Sequence, residues 1–300
     1  MILFYGEGRL GNQIFQYQAL SGIAKPAERI VCVGLEDLQR ILELCGPRIS
    51  VLTRSGLIKR LFKYGFIPFL LRPMAKNLRL INYACETLEG TEPHRGQSGQ
   101  LANRGGMFRR LTFVDGGYYH NASFWTSLFP AESIVLNAAL RRSAREYVAS
   151  IGGARRPSFV HVRRSDYIGY SSYGLDNLDL PAGFYRSAIR ELERRIGPTP
   201  LVFVTDDPTW VEDTFADLPL KTVASFSPAM DFAIMTECGS GVVSNSSFSL
   251  AAAFMMTAPD LVIAPRYWFG FRIGQWFPPR IQAIHERLLF LPVSNDALAA

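Results

Sequence analysis

The sequence predicts an α/β protein built from two Rossmann-like domains with parallel sheets. Three observations carry this. Short apolar strands alternate with helical segments through the second half, the pattern of a parallel sheet. A strand, a glycine loop, a helix and a second strand open the chain, as in a nucleotide-binding fold. The length of 300 residues is about twice that of a common domain. The run Gly152-Gly153-Ala154-Arg155-Arg156-Pro157 reads as a linker. The expected domains are therefore 1–152 and 153–300.

Taken in order, Ile2–Tyr5 is a buried strand, Gly6–Gly11 a glycine loop, Asn12–Ala24 a helix and Arg29–Val33 a second strand. Residues 54–80 carry Arg54, Lys59, Arg60, Lys63, Arg72, Lys76 and Arg79 without one acid, interleaved with Leu, Ile and Phe. Such a stretch can lie on an anionic membrane, or it can pack on its own core with a solvated basic face. Residues 89–106, rich in Gly and polar side chains, read as a loop.

In the second half the strands are Ser158–Val162, Leu201–Thr205, Lys221–Ala224, Gly241–Ser244 and Leu261–Ala264. Between them lie helices. Phe184–Ile196 has apolar residues at helical spacing and stops at Gly197-Pro198. Pro208–Phe215 places its proline in the first turn. Met230–Cys238 and Phe248–Met256 complete the set.

A hydrophobic fraction of 48% and a charged fraction of 19% exclude disordered, collagen-like and coiled-coil chains. The net charge of +6 suits an anionic partner: a nucleotide, a nucleic acid or an acidic membrane. Cys32, Cys45, Cys85 and Cys238 form no CxxC pair, as expected of reduced buried thiols. His94, His120, His161 and His285 are scattered without zinc spacing, so no metal is expected. No basic leader and no uncharged run of 18 residues occur, which predicts a cytoplasmic protein.

Four segments carry residues suited to chemistry. Gly6-Glu7-Gly8-Arg9-Leu10-Gly11 matches GxGxxG between a strand and a helix, which invites an NAD(P) oxidoreductase reading. The acid that should close the second strand comes late, at Glu36, and Asn12 stands at the helix start as a cap or a cleft-facing group. His161-Val-Arg163-Arg164-Ser165-Asp166 follows a strand, where arginine forks can hold phosphate oxygens in pairs and Asp166 can hold an arginine. In Thr205-Asp206-Asp207-Pro208, a carboxylate can accept two N–H groups of guanine or cap the next helix. Ser244-Asn245-Ser246-Ser247-Phe248 precedes a helix, offering hydroxyls and free N–H groups to an anion. There is no DxD pair to hold a nucleotide through a metal.

Together these segments resemble glycosyltransferase family 11, the α-1,2-fucosyltransferases. Gly8-Arg-Leu-Gly11-Asn12-Gln13-Ile-Phe15-Gln16-Tyr17 is similar to that family's GGLGNQMFQY. His161 through Tyr167 resembles HxRRxDY, and Phe203 through Trp210 resembles FSDDxxW. Asn245 through Ser249 resembles NSSFS, and Pro265 through Phe269 fits the stretch that follows. The motifs stand in family order over residues 8–269. Arg9 gives GRLGNQ, close to the GRFGNQ of protein O-fucosyltransferases. Ser165 replaces glycine, and Leu250-Ala251 replace paired tryptophans.

The resemblance implies a GT-B fold of two facing Rossmann-like domains, the first for the acceptor and the second for GDP-fucose. It implies inverting, metal-independent transfer of L-fucose, most simply as an α-1,2 link to galactose. An α-1,6 or protein O-linked product is the alternative. Arg163 would grip the β-phosphate, with Asp166 orienting it. His161 and Asp207 would contact guanine, and Ser246 and Ser247 the phosphates. Gly8, Gly11, Arg164, Asp206, Asn245 and Phe248 fall in the donor-contacting motifs. Glu7 is the first candidate for the base, and Asn12 would orient the acceptor hydroxyl. No cofactor and no nucleic acid partner are expected. A lipid-linked acceptor would suit contact of residues 54–80 with the inner face of a bacterial inner membrane.

Overall fold

A computed structural model describes residues 1–25, 28–44, 48–51, 56–89, 98–121, 124, 134–152, 155–170, 175–277 and 287–293. The chain forms two compact units that part between Val135 and Leu136. Arg54, Cys45, His94, His285 and linker residues 153–154 lie outside the described residues.

The first unit contains β1 (Ile2–Tyr5), α1 (Leu10–Ile23), β2 (Arg29–Val33), α2 (Glu36–Ile41), β3 (Leu42–Leu44), β4 (Arg48–Val51) and α3 (Gly56–Leu61). Helical turns of π type follow over Phe62–Leu71 and Pro73–Asn77, then β5 (Ile81–Glu89), β6 (Ser98–Arg104) and β7 (Phe108–Asp115). The main sheet runs β4-β2-β1-β7-β5-β6. All its pairings are parallel except β5 with β6. α1 begins at Leu10, two residues before the expected start. Its buried face includes Ile14, Phe15, Tyr17 and Leu20.

The loop expected over 89–106 is corrected: Ser98–Arg104 is a strand, antiparallel to β5 from Tyr83↔Arg104 to Glu89↔Ser98. It is an edge strand with one neighbour. Gln100, Ala102, Asn103 and Arg104 are exposed, so it lacks the apolar alternation that marks half-buried strands.

Residues 56–77 follow neither simple expectation. Ile67, Leu71 and Ala75 form one buried stripe over Ile81, Tyr83 and Phe113 of the sheet. The bond from Leu78 N–H to Pro73 C=O spans five residues, as π turns require. The cations are not simply solvated. Lys59 pairs with Glu36 at 2.8 Å, Lys63 with Glu7, and Arg72 and Lys76 with Asp115 at 2.9 and 3.6 Å.

The second unit contains α4 (Ala138–Ile151), β9 (Ser158–Val162), α5 (Ala182–Ile196), β10 (Leu201–Thr205), α6 (Pro208–Thr214), β11 (Lys221–Ala224) and α7 (Pro228–Glu237). β12 (Ser240–Val242), α8 (Ser247–Met255), β13 (Val262–Pro265) and β14 (Leu288–Leu291) complete it, and β8 (Ile134–Leu136) lies at the unit boundary. The six parallel strands run β11-β10-β9-β12-β13-β14. Numbered from β9, that is the order 3-2-1-4-5-6, which reverses between β9 and β12. Ligands bind such sheets outside the carboxyl ends of the strands at the reversal.

Every residue of β9 and β10 is buried, as expected of strands covered on both faces. Phe184, Tyr185, Ala188, Ile189 and Leu192 form the inner face of α5. They pack with Val160, Val162, Phe203 and Ile263 of the sheet. Although α4 precedes residue 152, it packs with this unit. Arg141 and Arg145 each donate to Glu237 of α7 at 2.8 Å.

Asp115 is the electrostatic anchor of the first unit. It accepts both Nε–H and Nη2–H of Arg72 at 2.9 Å and the Tyr83 hydroxyl at 2.9 Å. Burial disfavours its charge, but the Arg72 and Tyr83 bonds outweigh that and hold its carboxyl below the usual range. Asp115→Asn is expected to lower stability by about 2 kcal/mol at pH 7 in urea unfolding. Because the folded carboxyl is the stronger acid, its contribution is present at neutral pH. It is lost as the pH falls below about 4, so wild type and variant converge there.

Candidate functional site

The reversal point of the second sheet gathers the residues singled out in the sequence. β9 ends at Val162, so Arg163 and Arg164 emerge together at its carboxyl end. Arg163 Nη2–H donates to Asp166 Oδ2 at 2.6 Å, and Nη1 pairs with Asp206 Oδ2 at 3.0 Å. Its fork is thus held between two carboxylates while the side chain keeps partial exposure.

Arg164 is placed differently. Its Nε–H donates to Asp207 at 3.2 Å, its Nη1–H to Asp179 at 3.1 Å, and its guanidinium lies 4.1 Å from the Trp210 ring centre. Two carboxylates and an aromatic face occupy it, so Arg164 braces the site from within.

Asp206 joins these parts. Its Oδ1 accepts the Arg164 backbone N–H at 2.9 Å, and its Oδ2 accepts the Ser165 hydroxyl at 2.6 Å beside Arg163. Burial works against its charge, but the bonds from Ser165 and Arg164 with the Arg163 charge hold its carboxyl below the usual range. Asp207 does two jobs: Oδ1 caps α6 through Trp210 N–H at 3.2 Å while Oδ2 holds Arg164. Each carboxylate oxygen has a second lone pair to offer.

β12 contributes the opposite lip. Ser244 bonds His161 Nδ1 at 2.8 Å, and the His161 ring lies 5.7 Å from Phe248. Burial pushes His161 down to about 3, so it is neutral and hydrogen-bonded. Asn245 donates from Nδ2 to Leu178 C=O at 2.7 Å, and its buried Oδ1 has no partner. Ser246 caps α8 through Phe248 N–H, with Ser247 in the first turn. Sequence reasoning passed over Asp179. Trp210 entered only through the FSDDxxW resemblance, and Ser244 only as a hydroxyl for an anion, not as the partner of His161.

Gly6, Glu7, Gly8, Gly11 and Asn12 belong to the first unit. Gly8 has φ +84°, and a Cβ there would meet Asn12 Nδ2 at 2.1 Å, so only glycine fits. Amides of α1 brace the loop from behind. Gln13 Nε2–H donates to Gly8 C=O at 3.1 Å, and Gln16 accepts Glu7 N–H at 3.3 Å while donating to Gly117 C=O at 3.0 Å. Gly11 is buried in the first turn of α1. Asn12 Oδ1 lies 3.0 Å from Nε2 of His120, which burial pushes down to about 3.

Glu7, Glu36, Asp37, Lys59, Lys63 and Tyr118 help line a cavity of about 540 Å³ in this unit. Glu36 is 7% exposed and bonded to Lys59, so the acid after β2 is not open to a ribose. Among the described residues no group of three His, Cys, Asp or Glu is arranged to hold a metal ion. Cys32, Cys85 and Cys238 are free thiols. No helix among the described residues is long and apolar enough to cross a membrane.

Residues 102–270 match the family described as glycosyl transferase family 11. The chain is similar to the O-antigen biosynthesis glycosyltransferase WbnK of Escherichia coli, 34% identical over 116 residues, which is 37% of this chain and 38% of that one. It is similar over most of its length to galactoside 2-alpha-L-fucosyltransferase SEC1 of Bos taurus, 23% identical over 294 residues, covering 93% of this chain and 71% of that one. Among solved structures it shares its fold with POFUT1 in complex with GDP-fucose. There the TM-score is 0.51 at 13% identity, over 88% of this chain and 97% of the other.

The neutral His161 makes a test of the second-unit site. Its folded value of about 3 lies below the ordinary 6.5. Between these limits the unfolded chain binds a proton that the folded chain does not, so stability falls as pH falls. Relative to His161→Gln, the wild type is expected to lose about 1.4 kcal/mol per pH unit from pH 6 to pH 4 in urea unfolding. Asp231, pushed up to about 6 by burial, acts in the opposite sense in both proteins and cancels in the comparison.

Proposed function

The chain belongs to glycosyltransferase family 11, and from that premise we propose that it transfers L-fucose from GDP-fucose to a hydroxyl of a galactose-containing glycan. The link formed is α-1,2, with inversion and without a metal. The fold is of the GT-B class, two Rossmann-like α/β units. The donor is assigned to the second unit and the acceptor to the first.

The observation that carries the reading is Arg163. A guanidinium stands at the carboxyl end of β9, at the sheet's reversal, held between Asp166 and Asp206 while its side chain keeps partial exposure. When the bond between fucose C1 and the β-phosphate oxygen breaks, the electron pair stays with GDP and negative charge grows on that oxygen. A fixed cationic donor stabilises the charge as it develops, without reorganising at that moment. Ser246, Ser247 and the N-terminal turn of α8 supply further donors to the same phosphates. The second lone pairs of Asp207 accept the N1–H and N2–H of guanine, and His161 lies against the base.

The acceptor hydroxyl attacks C1 from the face opposite GDP, and its proton must leave. Glu7, the carboxylate of the glycine loop, serves as base, and Asn12 orients the hydroxyl. Glu7 is engaged by Lys63, so its accepting lone pair is released when an acceptor displaces that contact. Asp37 offers a further acceptor for sugar hydroxyls, and the Tyr5 and Tyr118 rings offer apolar faces. Arg9, the feature shared with GRFGNQ, favours the second reading, another linkage such as α-1,6 or protein O-linked. A lipid-linked acceptor and peripheral contact of residues 54–80 with an anionic membrane belong to the same proposal.

Arg163→Ala is expected to lower kcat about 10²–10³-fold and weaken GDP binding. Wild-type turnover from that variant would remove Arg163 from the phosphate site. Transfer is expected to be unchanged in excess EDTA, and strong inhibition would overturn the metal-free step. GDP should raise Tm where NAD(P) does not. With GDP-fucose and a panel of galactosides, NMR of the product is expected to show fucose on O2 of galactose. Attachment elsewhere would favour the second reading.

A further inference from the structure

The segment Gly56–Asn77 has two unlike faces. On the inner side, Ile67, Leu71 and Ala75 pack on the sheet, and Phe62 stacks on Tyr5 at 6.2 Å. Lys59 and Lys63 reach Glu36 and Glu7, so the segment forms one wall of the 540 Å³ cavity. On the outer side, Leu57, Leu61, Tyr64 and Phe69 are 69%, 62%, 67% and 81% exposed, with Ile58 and Leu70 near half exposure. A folded chain rarely leaves so many large apolar side chains together in water unless something covers them.

The chemistry of the face selects its cover. Residues 54–80 contain no acid. Arg60 and Arg79 are exposed, Tyr64 is of the type that sits at headgroup level, and Phe69 and the leucines are of the type that inserts below it. A second copy of the chain would bring the same acid-free, positive face against itself, because a two-fold contact pairs identical patches. A lipid surface carrying anionic headgroups meets both the apolar and the cationic groups.

We propose that the outer face of Gly56–Asn77 rests on an anionic lipid surface, and that the same segment, as a wall of the first-unit cavity, gives that cavity preferential access to acceptors anchored in the lipid. The inference rests on the reading of the cavity as the acceptor site. The sugar enters from the lipid plane along the wall that carries Lys59 and Lys63. Four of the segment's cations are engaged by Glu7, Glu36 and Asp115, so insertion of apolar side chains drives the contact and anionic lipid strengthens it.

The test uses the full chain, vesicles of phosphatidylcholine alone or with phosphatidylglycerol, and two acceptors with one sugar: methyl β-galactoside in solution and octadecyl β-galactoside in the vesicles. Wild type is expected to float with vesicles, more so with phosphatidylglycerol. The double variant Leu61→Gln/Phe69→Gln should keep its Tm and its rate on the soluble galactoside. It should lose flotation and fall roughly tenfold or more on the embedded one.

Equal loss on both acceptors would mean a merely structural role and would overturn the proposal. So would absence of flotation, or a wild-type dimer in light scattering that the double variant abolishes. If wild type transfers fucose to neither galactoside, the fucosyl-transfer reading falls, and flotation still decides the lipid contact.

Discussion

The site at the reversal of the second sheet is organised around one carboxylate. Asp206 accepts from the Arg164 backbone, the Ser165 hydroxyl and the Arg163 guanidinium at once. It leaves β10 while its three donors leave β9, so it fixes the spacing of the two strand ends as well as their chemistry. Without it, two adjacent arginines at the end of a parallel strand would repel and splay. With it, and with Asp207 and Asp179 on Arg164, each arginine is held by two carboxylates while both side chains keep partial exposure.

How much was legible depended on burial. β9 and β10 are covered on both faces, so their sequences are unbroken apolar runs and their ends were read to the residue. Helix α5 was visible because its inner residues recur at helical spacing and glycine ends it. Edge strands were read unevenly: β11 was found, but β4, β6 and β14 were not. β6 is polar because solvent covers it, and β14 is a four-residue run with one strand neighbour. Residues 107–150 went unread, though they contain β7 in mid-sheet and α4, in which Leu140, Ala144, Tyr147, Val148 and Ile151 recur at helical spacing. The polar segments of the second-unit site were legible because their members are contiguous and follow apolar strands. Asp179 was not, nor was the bond of Ser244 to His161, since each role comes from a partner distant in sequence.

The first unit shows a different division between local and distant information. The glycine pattern marked a tight loop, but the loop is filled by its own chain: Asn12 lies under Gly8, and Gln13 and Gln16 bind its carbonyls and amides. The GNQ run and the glutamine three residues after it thus read as bracing for the loop that carries Glu7. The ion pairs of Lys59 and Lys63 were illegible, because periodicity in an acid-free stretch says nothing of acids brought to it by other elements.

The π-type turns of residues 62–77 carry a consequence for how this segment can change in length. An α-helix turns about 100° per residue, so loss or gain of one residue swings everything beyond it by that angle. In this segment the buried stripe at Ile67, Leu71 and Ala75 must stay on the sheet. A one-residue deletion that tightened a wide turn could be absorbed locally, leaving the stripe in register. The same deletion within α3 would carry Lys59 and Lys63 off their carboxylates. The segment therefore tolerates indels unevenly, more freely within its wide turns than before them.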